Sequence, residues 1–398
     1  MPTQTIPLNE TETITYNNQN VTELYLGSQK IWPAAQPYIY FECPEYGSFS
    51  LRTYQQNQIW DGTVEYSTNG TTWNTWTGSY IHASPSYKKI FLRGTNNTYF
   101  NGTTASSSNN KRFVIESNGY PVYTYGNIET LLDYQTVANG GHPVMANNCF
   151  RNVFRSCSTL SKAPELPATT LSNGCYSFMF HGCTGLTTAP VLPATSLVEN
   201  CYNSMFYNCT GLTTAPVLPA TSLAENCYRA MFNGCTGLTT APVLPATTLA
   251  TYCYAYMFSN CTGLTTAPVL PATTLAIDCY YFMFSNTGLT TAPVLPATTL
   301  AVYCYSCMFY NCTALTAIPS LPATTLADYC YTSMFLGCTN VKISDTQSGE
   351  YQTPYRIPTN GTGIDGTRCL ESMFVNTGGT FTGDPVINTT YYTSNTVV

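Results

Sequence analysis

Residues 253–284 read CYAYMFSNCTGLTTAPVLPATTLAIDCYYFMF, and the CYAYMF that opens the stretch returns at its end as CYYFMF. A Cys-Tyr pair marks each copy of this unit every 26 residues, with one step of 25. The marker cysteines are Cys175, Cys201, Cys227, Cys253, Cys279, Cys304 and Cys330. With weaker copies headed by Cys149 and Cys369, the sequence contains nine copies between Asn148 and about Asn376. Such a period predicts a repeat architecture in which each copy packs on the next.

Each copy combines a four-residue apolar spacing with a short extended stretch that ends in prolines. The spacing predicts one face of a short helix, as in Leu223, Cys227, Met231 and Cys235. A short strand is predicted at 238–241, because Pro242 cannot donate to a ladder that is bonded on both sides. One short strand and one short helix cannot bury their own apolar faces, so neighbouring copies must stack.

The repeated pattern MFxxCTxLTxAPxLPATTLxxxCYxxMF resembles the BspA-like class of leucine-rich repeats over about 148–376. The resemblance implies a curved solenoid with parallel strands on one face and helical turns on the other. This class occurs in surface and adhesive proteins of bacteria and their phages, so the resemblance implies binding and not catalysis. The predicted fold is a mixed β and α/β solenoid: an N-terminal β-module and a β-sandwich, then nine coils, each with a short parallel strand and a short helix.

The residues before the repeats have the pattern of β-structure. A small hairpin is predicted within 14–32, around Asn and Gly turn signals. Asn69-Gly70 marks a second hairpin in the following segment. The predicted domains are a β-hairpin module at 1–36, a β-sandwich at 37–137, the leucine-rich-repeat solenoid at 138–376 and a C-terminal cap at 377–398.

Two N-terminal stretches carry further resemblances. VTELYLGSQKIWP at 21–33 resembles short β-modules at the N-termini of phage structural proteins. YSTNGTTW at 66–73 resembles part of a domain that precedes such repeats in phage proteins of gut bacteria. The start MPTQTIPLNE shows no secretory leader, which favours a virion component released by lysis. The apolar residues Leu24, Leu26 and Trp32 are accordingly predicted to anchor the chain to the virion.

Composition excludes several classes of function. The 398 residues carry a net charge of −6 and only 9% charged side chains, which leaves no basic footprint for nucleic acid. No apolar run approaches the roughly 18 residues of a membrane span, so no membrane insertion is predicted. Three histidines and no paired acids favour a non-enzymatic protein without a cofactor. No metal site is assigned, although the acidic residues of the 339–368 insertion leave Ca²⁺ binding open there.

The eighteen cysteines are predicted to be free thiols. Cys175 and Cys183 would lie about 12 Å apart along one helix. Equivalent cysteines on neighbouring coils would lie about 8–10 Å apart if the coils pack as helices. A disulfide needs Cα atoms within about 7 Å, so buried thiols that pack as small apolar side chains are the favoured interpretation.

Two sets of residues are candidates for binding. The slots beside the marker cysteines vary from copy to copy and hold many tyrosines, a composition typical of adaptable binding surfaces. The candidate residues there are Tyr252, Tyr256, Tyr281, Tyr303, Tyr310 and Tyr329. The rival set is the constant Thr-Thr pairs, such as Thr239-Thr240, which would stack into rows of hydroxyls that could meet a repetitive polymer. Neutral drift of surface residues stays an alternative for each single tyrosine.

These observations predict a non-enzymatic phage virion protein, a fibre or a decoration protein, that presents the solenoid to a host surface glycan or protein. Its other partners would be virion proteins and further copies of itself, with a trimer favoured. Its location would be the virion, extracellular after host lysis. The alternative is a bacterial cell-surface adhesin with the same repeat, whereas an enzyme acting on polysaccharide is disfavoured by the lack of acid pairs.

Overall fold

The structure, a computed structural model, describes residues 38–44, 46–86, 88–100 and 112–398, and the backbone of four short strands within 14–32. These strands form two antiparallel pairs, β1 (Ile14–Tyr16) with β2 (Gln19–Val21) and β3 (Leu24–Leu26) with β4 (Gln29–Trp32). Residues 14–32 therefore contain two hairpins, whereas the sequence predicted one. The side chains of the predicted anchor residues Leu24, Leu26 and Trp32 lie outside the described part of the chain.

Eight strands of the segment before the repeats and one strand of the first repeat form two sheets. Their strands are β5 (Ile39–Glu42), β6 (Ser50–Thr53), β7 (Thr63–Ser67), β8 (Asn74–Thr75), β9 (Ile81–His82), β10 (Lys89–Thr95), β11 (Phe113–Glu116), β12 (Val122–Tyr125) and β13 (Leu160–Lys162). The larger sheet has the order β13-β12-β5-β10-β7-β8, and the smaller has the order β11-β6-β9. The β7–β8 hairpin encloses Asn69-Gly70, as predicted, and Gly70 has a φ of 78°.

The core continues without a break from these sheets into the first repeat. Phe41 and Phe113 bring the two sheets together, with ring centroids 5.7 Å apart. Phe113 also lies 5.4 Å from Phe154 of the first repeat, and its N–H donates to the Val153 carbonyl at 2.8 Å. The helix α1 (Thr130–Ala138) links the two parts, and β13 of the first repeat joins β12 in parallel. The first repeat therefore packs on the sheets rather than ending in solvent.

Successive repeats are joined directly by backbone hydrogen bonds. The residue after each marker cysteine donates its N–H to the carbonyl of the next marker cysteine, as Tyr176 does to Cys201 at 3.0 Å. Eight bonds of this kind, at 2.9–3.1 Å, connect the copies from Phe150 to Cys369. Hydrogen-bonded neighbours lie about 4.8 Å apart, as strands do in a sheet. The predicted separation of 8–10 Å between coils is therefore wrong.

The short helix predicted in each copy is also wrong. Within 226–235 every second N–H bonds three residues back, as Met231 does to the Tyr228 carbonyl at 3.1 Å. The N–H groups between them bond to the next copy, as Ala230 does to the Ala255 carbonyl at 2.8 Å. The chain is thus a run of consecutive turns, here named the turn ribbon, that forms a ladder with its neighbours. Among the described residues, α1 is the one α-helix.

Left-handed backbone recurs every fourth residue along the turn ribbon. In the fourth copy it falls at Asn226, Ala230 and Gly234, with φ of 55°, 52° and 76°. Glycine and asparagine adopt this conformation most readily. The last slot holds only those two types in six successive copies, namely Asn208, Gly234, Asn260, Asn286, Asn311 and Gly337.

Aromatic columns fill the inside of the stack. The rings after the marker cysteines stack from Phe150 to Tyr331 at 5.6–6.0 Å between centroids. A second column runs from Phe154 to Phe374 at 5.5–6.0 Å. The same aromatic side chain recurs at the same place in nearly every copy. Each ring therefore packs on an equivalent ring of the next copy.

All eighteen cysteines are buried free thiols, and most of them belong to the repeats. The second thiol of a copy donates to the phenylalanine carbonyl of the preceding copy, as Cys235 does to Phe206 at 3.0 Å. Burial raises the pKa of thiols such as Cys209 and Cys227 to about 12. In the copy with the shorter step, buried Thr287 takes the place of the missing cysteine, 3.2 Å from the Cys312 sulfur.

The predicted parallel strand is reduced in most copies to single bridges. Thr188, Thr214 and Thr240 bridge in parallel from copy to copy, and Thr266 continues to Thr291 further along. The seventh copy contains the two-residue strand β14 (Ala317–Ile318). The prolines that follow each bridge keep the strand short, since they lack a donor.

The C-terminal residues fold back on the last copies. The remaining strands are β15 (Ile343–Ser344), β16 (Thr353–Arg356), β17 (Thr390–Thr393) and β18 (Thr396–Val397). The first three form a sheet of order β15-β17-β16, and β18 pairs in parallel with β14. Buried Tyr355 and Tyr391 join Phe374 and Phe381 over the end of the phenylalanine column. The insertion and the tail thus cover this end of the stack together.

Candidate binding surface

The six tyrosines predicted from the variable slots lie close together on the turn ribbons of four consecutive copies. Tyr256 contacts Tyr281 at 5.3 Å between centroids, Tyr281 contacts Tyr303 at 6.4 Å, and Tyr303 contacts Tyr329 at 4.6 Å. All six are half-buried. We name this cluster, together with Phe282, the aromatic patch: Tyr252, Tyr256, Tyr281, Phe282, Tyr303, Tyr310 and Tyr329.

Phe282 is the member that the sequence analysis did not select. Its ring stacks on Tyr256 at 5.3 Å and lies 5.7 Å from Tyr310, so it connects the two ends of the patch. It occupies the same slot as Tyr256 in the following copy. Comparison of this slot between copies could have identified Phe282 from the sequence.

Most rings of the patch project from left-handed backbone. Tyr252, Tyr256, Tyr303 and Tyr329 have φ between 54° and 57°, and Phe282 has 52°. This conformation costs a residue other than glycine about 1–2 kcal/mol. The first of these slots holds asparagine in two earlier copies, Asn200 and Asn226, as the backbone favours. The patch therefore places aromatic rings at positions where the backbone favours asparagine or glycine.

The rings are arranged in two orientations. Tyr256 with Phe282, and Tyr303 with Tyr329, form stacked pairs with interplanar angles of 13° and 14°. Tyr281 lies across them, at 87° to Tyr256 and 76° to Tyr303. The patch thus offers ring edges with their hydroxyls and one transverse ring between them.

Two charged groups border the patch at its Tyr252 end. The Arg229 guanidinium lies 5.9 Å from the Tyr252 centroid and 5.5 Å from that of Tyr256, in cation–π range. Asp278 is 6% exposed, and burial raises the pKa of its carboxyl. A hydrogen bond with Asp278 raises the pKa of the Tyr252 hydroxyl. Aromatic edges, tyrosine hydroxyls and a guanidinium together provide apolar contact and both hydrogen-bonding polarities, and the buried Asp278 holds the Tyr252 hydroxyl.

The rival threonines occupy another side of the stack. Thr187 and Thr188 are exposed, and so are the equivalent pairs in the next copies. A second exposed row comes seven or eight residues later in each copy, as in Thr195 and Ser196. The rows are therefore accessible, and their predicted role in binding stays a prediction.

Acid–base groups are sparse and scattered. His181 stacks on Tyr207 at 4.7 Å, and burial lowers its pKa to about 4. His142 Nδ1 lies 2.8 Å from an oxygen of the fully buried Glu129, beside a cavity of about 370 Å³ between α1 and the first copies. In the described ranges, no three His, Cys, Asp or Glu side chains converge as metal ligands would. Likewise, none of the described helices has the length and apolarity needed to cross a membrane.

Comparison with known proteins identifies the repeats. A family model described as the BspA type leucine rich repeat region, in six copies, matches residues 147–290 and 240–352. These ranges together cover just over half of the 398 residues. No curated protein and no solved structure matches the chain.

Proposed function

Because the chain belongs to the BspA type leucine-rich repeat family, we propose that it is a non-enzymatic binding protein whose aromatic patch contacts its ligand. Membership in this family indicates a protein-binding or adhesin-like role. The finer proposal is that the stacked copies form a nine-coil solenoid that a phage virion displays as a fibre or decoration protein. Its ligand is then a glycan or protein on the host surface.

The observation that carries this proposal is the position of the rings. Five of the seven patch residues adopt left-handed backbone that asparagine or glycine would adopt at lower cost. Residues held at a cost to stability concentrate at functional sites. The same slots hold Asn200, Ser204 and Asn226 where no patch exists, so the fold does not demand aromatic residues there.

The chemistry of the patch supports a polar, weakly charged ligand. Tyrosine gives apolar area and a hydroxyl while losing little conformational freedom, a combination used at adaptable binding surfaces. Arg229 is the cation and Asp278 the carboxylate beside the rings. Such a ligand would be bound through many shallow contacts, and the affinity would depend little on salt.

The virion part of the proposal rests on the N-terminal resemblance and on the marginal stability of short hairpins. Isolated two-stranded hairpins are barely stable in water. The pairs β1–β2 and β3–β4 are of this size, with three or four residues in each strand. Residues 1–36 are thus proposed to dock on another virion protein.

A truncated chain and a triple variant of the full chain test both parts of the proposal. Deletion of 1–36 should abolish incorporation into purified phage particles, measured by mass spectrometry, and should leave ligand binding intact. The combined change Tyr252→Ala, Tyr256→Ala and Tyr303→Ala should leave incorporation intact and weaken attachment to host cells by roughly tenfold or more. Normal attachment by the triple variant would transfer the binding role to the threonine rows. Normal incorporation of the truncated chain would place the anchor elsewhere.

A further inference from the structure

A second exposed surface differs from the aromatic patch, because it is apolar and strictly periodic. One valine in each of five consecutive copies points into solvent: Val191, Val217, Val243, Val269 and Val294. The first four are 77–79% exposed and the last is 61% exposed. We name these five residues the valine row. The leucine after each valine is buried, so valine and leucine alternate out and in along the proline-rich segment.

Polar residues limit the valine row on every side. The same slot holds Glu165 in the first copy and Ser320 in the seventh. Exposed threonine pairs flank the row on both sides, such as Thr239-Thr240 before Val243 and Thr247-Thr248 after it. An apolar patch with a polar rim is typical of a protein–protein interface.

The dimensions of this face match those of a protein partner. Six steps of about 4.8 Å separate the first and seventh copies, which gives about 29 Å along the stack. Eight residues of near-extended chain between the two threonine rows give about 26 Å across. The resulting area, roughly 750 Å² in projection, is close to the ~800 Å² that each partner contributes to a standard interface.

We infer that the valine row is the interface with a second copy of this chain. A partner must place an apolar group opposite each valine at the spacing of the coils, and the chain itself carries such a row. Between 187 and 196, and in the equivalent segments of the next four copies, there is no Asp, Glu, Lys or Arg, so two such faces meet without repulsion. A groove of about 730 Å³ lies at the end of the row, and its lining includes Val191, Lys162 and Glu165.

The symmetry of the pair follows from the sequence of the row. Two-fold symmetry is the commonest symmetry of homo-oligomers, and an axis that crosses the row at right angles runs one row antiparallel to the other. An axis along the row would instead place the Glu165 carboxylates of the two chains opposite each other. Val243, the middle residue, then faces the partner's Val243, and Val191 faces the partner's Val294. The acidic Glu165 end of one row lies beside the neutral Ser320 end of the other. This arrangement differs from the predicted trimer, in which parallel rows would bring equal valines together.

Charge substitution in the full chain tests the interface. Val243→Glu would place two carboxylates at the two-fold axis and should raise the dimer dissociation constant by at least roughly 30-fold in sedimentation velocity. Val144→Glu is the matched control, because Val144 is 78% exposed and lies outside the row. A monomeric wild type overturns the proposal, and so does a Val243→Glu variant that dimerises as the wild type does. Those results would leave a foreign partner as the occupant of the row.

Cysteine pairing tests the register. The native cysteines are buried, so an added surface cysteine is selectively accessible. Val243→Cys should cross-link with itself on mild oxidation. Val191→Cys should do so only when mixed with Val294→Cys. Equal self-cross-linking of Val191→Cys and Val243→Cys would establish parallel rows and overturn the antiparallel pairing.

Discussion

Replacing Ala230 by glycine distinguishes a turn ribbon from a helix. Ala230 has a φ of 52°, which costs an alanine about 1–2 kcal/mol. Glycine removes this cost, but it loses a buried methyl group worth about 0.8 kcal/mol. It also raises the conformational entropy of the unfolded chain, which destabilises the folded state by about 0.5–1 kcal/mol. The terms nearly cancel, so the free energy of unfolding should change by less than about 1 kcal/mol.

Ala255→Gly is the matched control, from the slot just before the left-handed one in the next copy. Ala255 is fully buried, and its backbone is not left-handed. Its replacement loses the same methyl group and adds the same chain entropy without relief of strain, so it should cost about 1.5 kcal/mol. The difference between the two variants, about 1–2 kcal/mol, isolates the cost of the left-handed backbone.

Urea unfolding of the two full-length variants, followed by circular dichroism, measures this difference. Ala230→Gly should unfold near the wild-type midpoint, and Ala255→Gly clearly below it. In a helix both positions would have negative φ, and both variants would lose about the same stability. Equal losses would therefore refute the turn ribbon.

Three further predictions concern the interior of the stack. Met231→Asp should lower the free energy of unfolding by several kcal/mol, since Met231 is fully buried and a carboxylate would find no partner there; a urea midpoint like that of the wild type would contradict the packing. Thiol titration should find most of the 18 cysteines free under denaturant and few of them reactive in the native protein; a count near zero under denaturant would indicate cross-linked coils. Burial raises the pKa of thiols such as Cys175 to about 12, so above about pH 9 the unfolded chain binds fewer protons than the native one. Stability should then fall as pH rises from about 9 to 12, and an alkaline titration that showed thiolate absorbance before any loss of structure would disprove this.

The sequence predicted which residues of a copy are buried better than it predicted the backbone that buries them. Cys227, Met231 and Cys235 are fully buried as expected, whereas Leu223 is only partly covered. The helix was inferred from a spacing of four residues, which on a real helix drifts by about 40° per step. A spacing of four that persists over three steps was the sign of a different, four-residue backbone period.

The left-handed positions were hidden for a similar reason. In single copies the first two slots often hold tyrosine, alanine or serine, and these residue types do not signal positive φ. Read down the copies from Gly182 to Gly337, the third slot contains only asparagine and glycine, which does signal positive φ. Comparison between copies carries this information, whereas the pattern within one copy does not.

The candidate surfaces were predictable to different degrees. Variation between copies identified six of the seven patch residues, because packing leaves those slots free. The valine row was not identified, since a constant valine beside prolines and a leucine has the pattern of core. Only the backbone decides which member of each Val-Leu pair points inward, and in every one of these copies it is the leucine.

The most direct test of the binding function is a comparison of two single-tyrosine variants on cell envelopes from gut bacteria. Tyr281 lies across the centre of the aromatic patch, whereas Tyr207 is also half-buried on a turn ribbon but stacks on His181 outside the patch. Binding isotherms of labelled protein should show Tyr281→Ala weakened by roughly tenfold or more and Tyr207→Ala unchanged. Equal binding by Tyr281→Ala and the wild type would contradict the assignment of the aromatic patch as the ligand site.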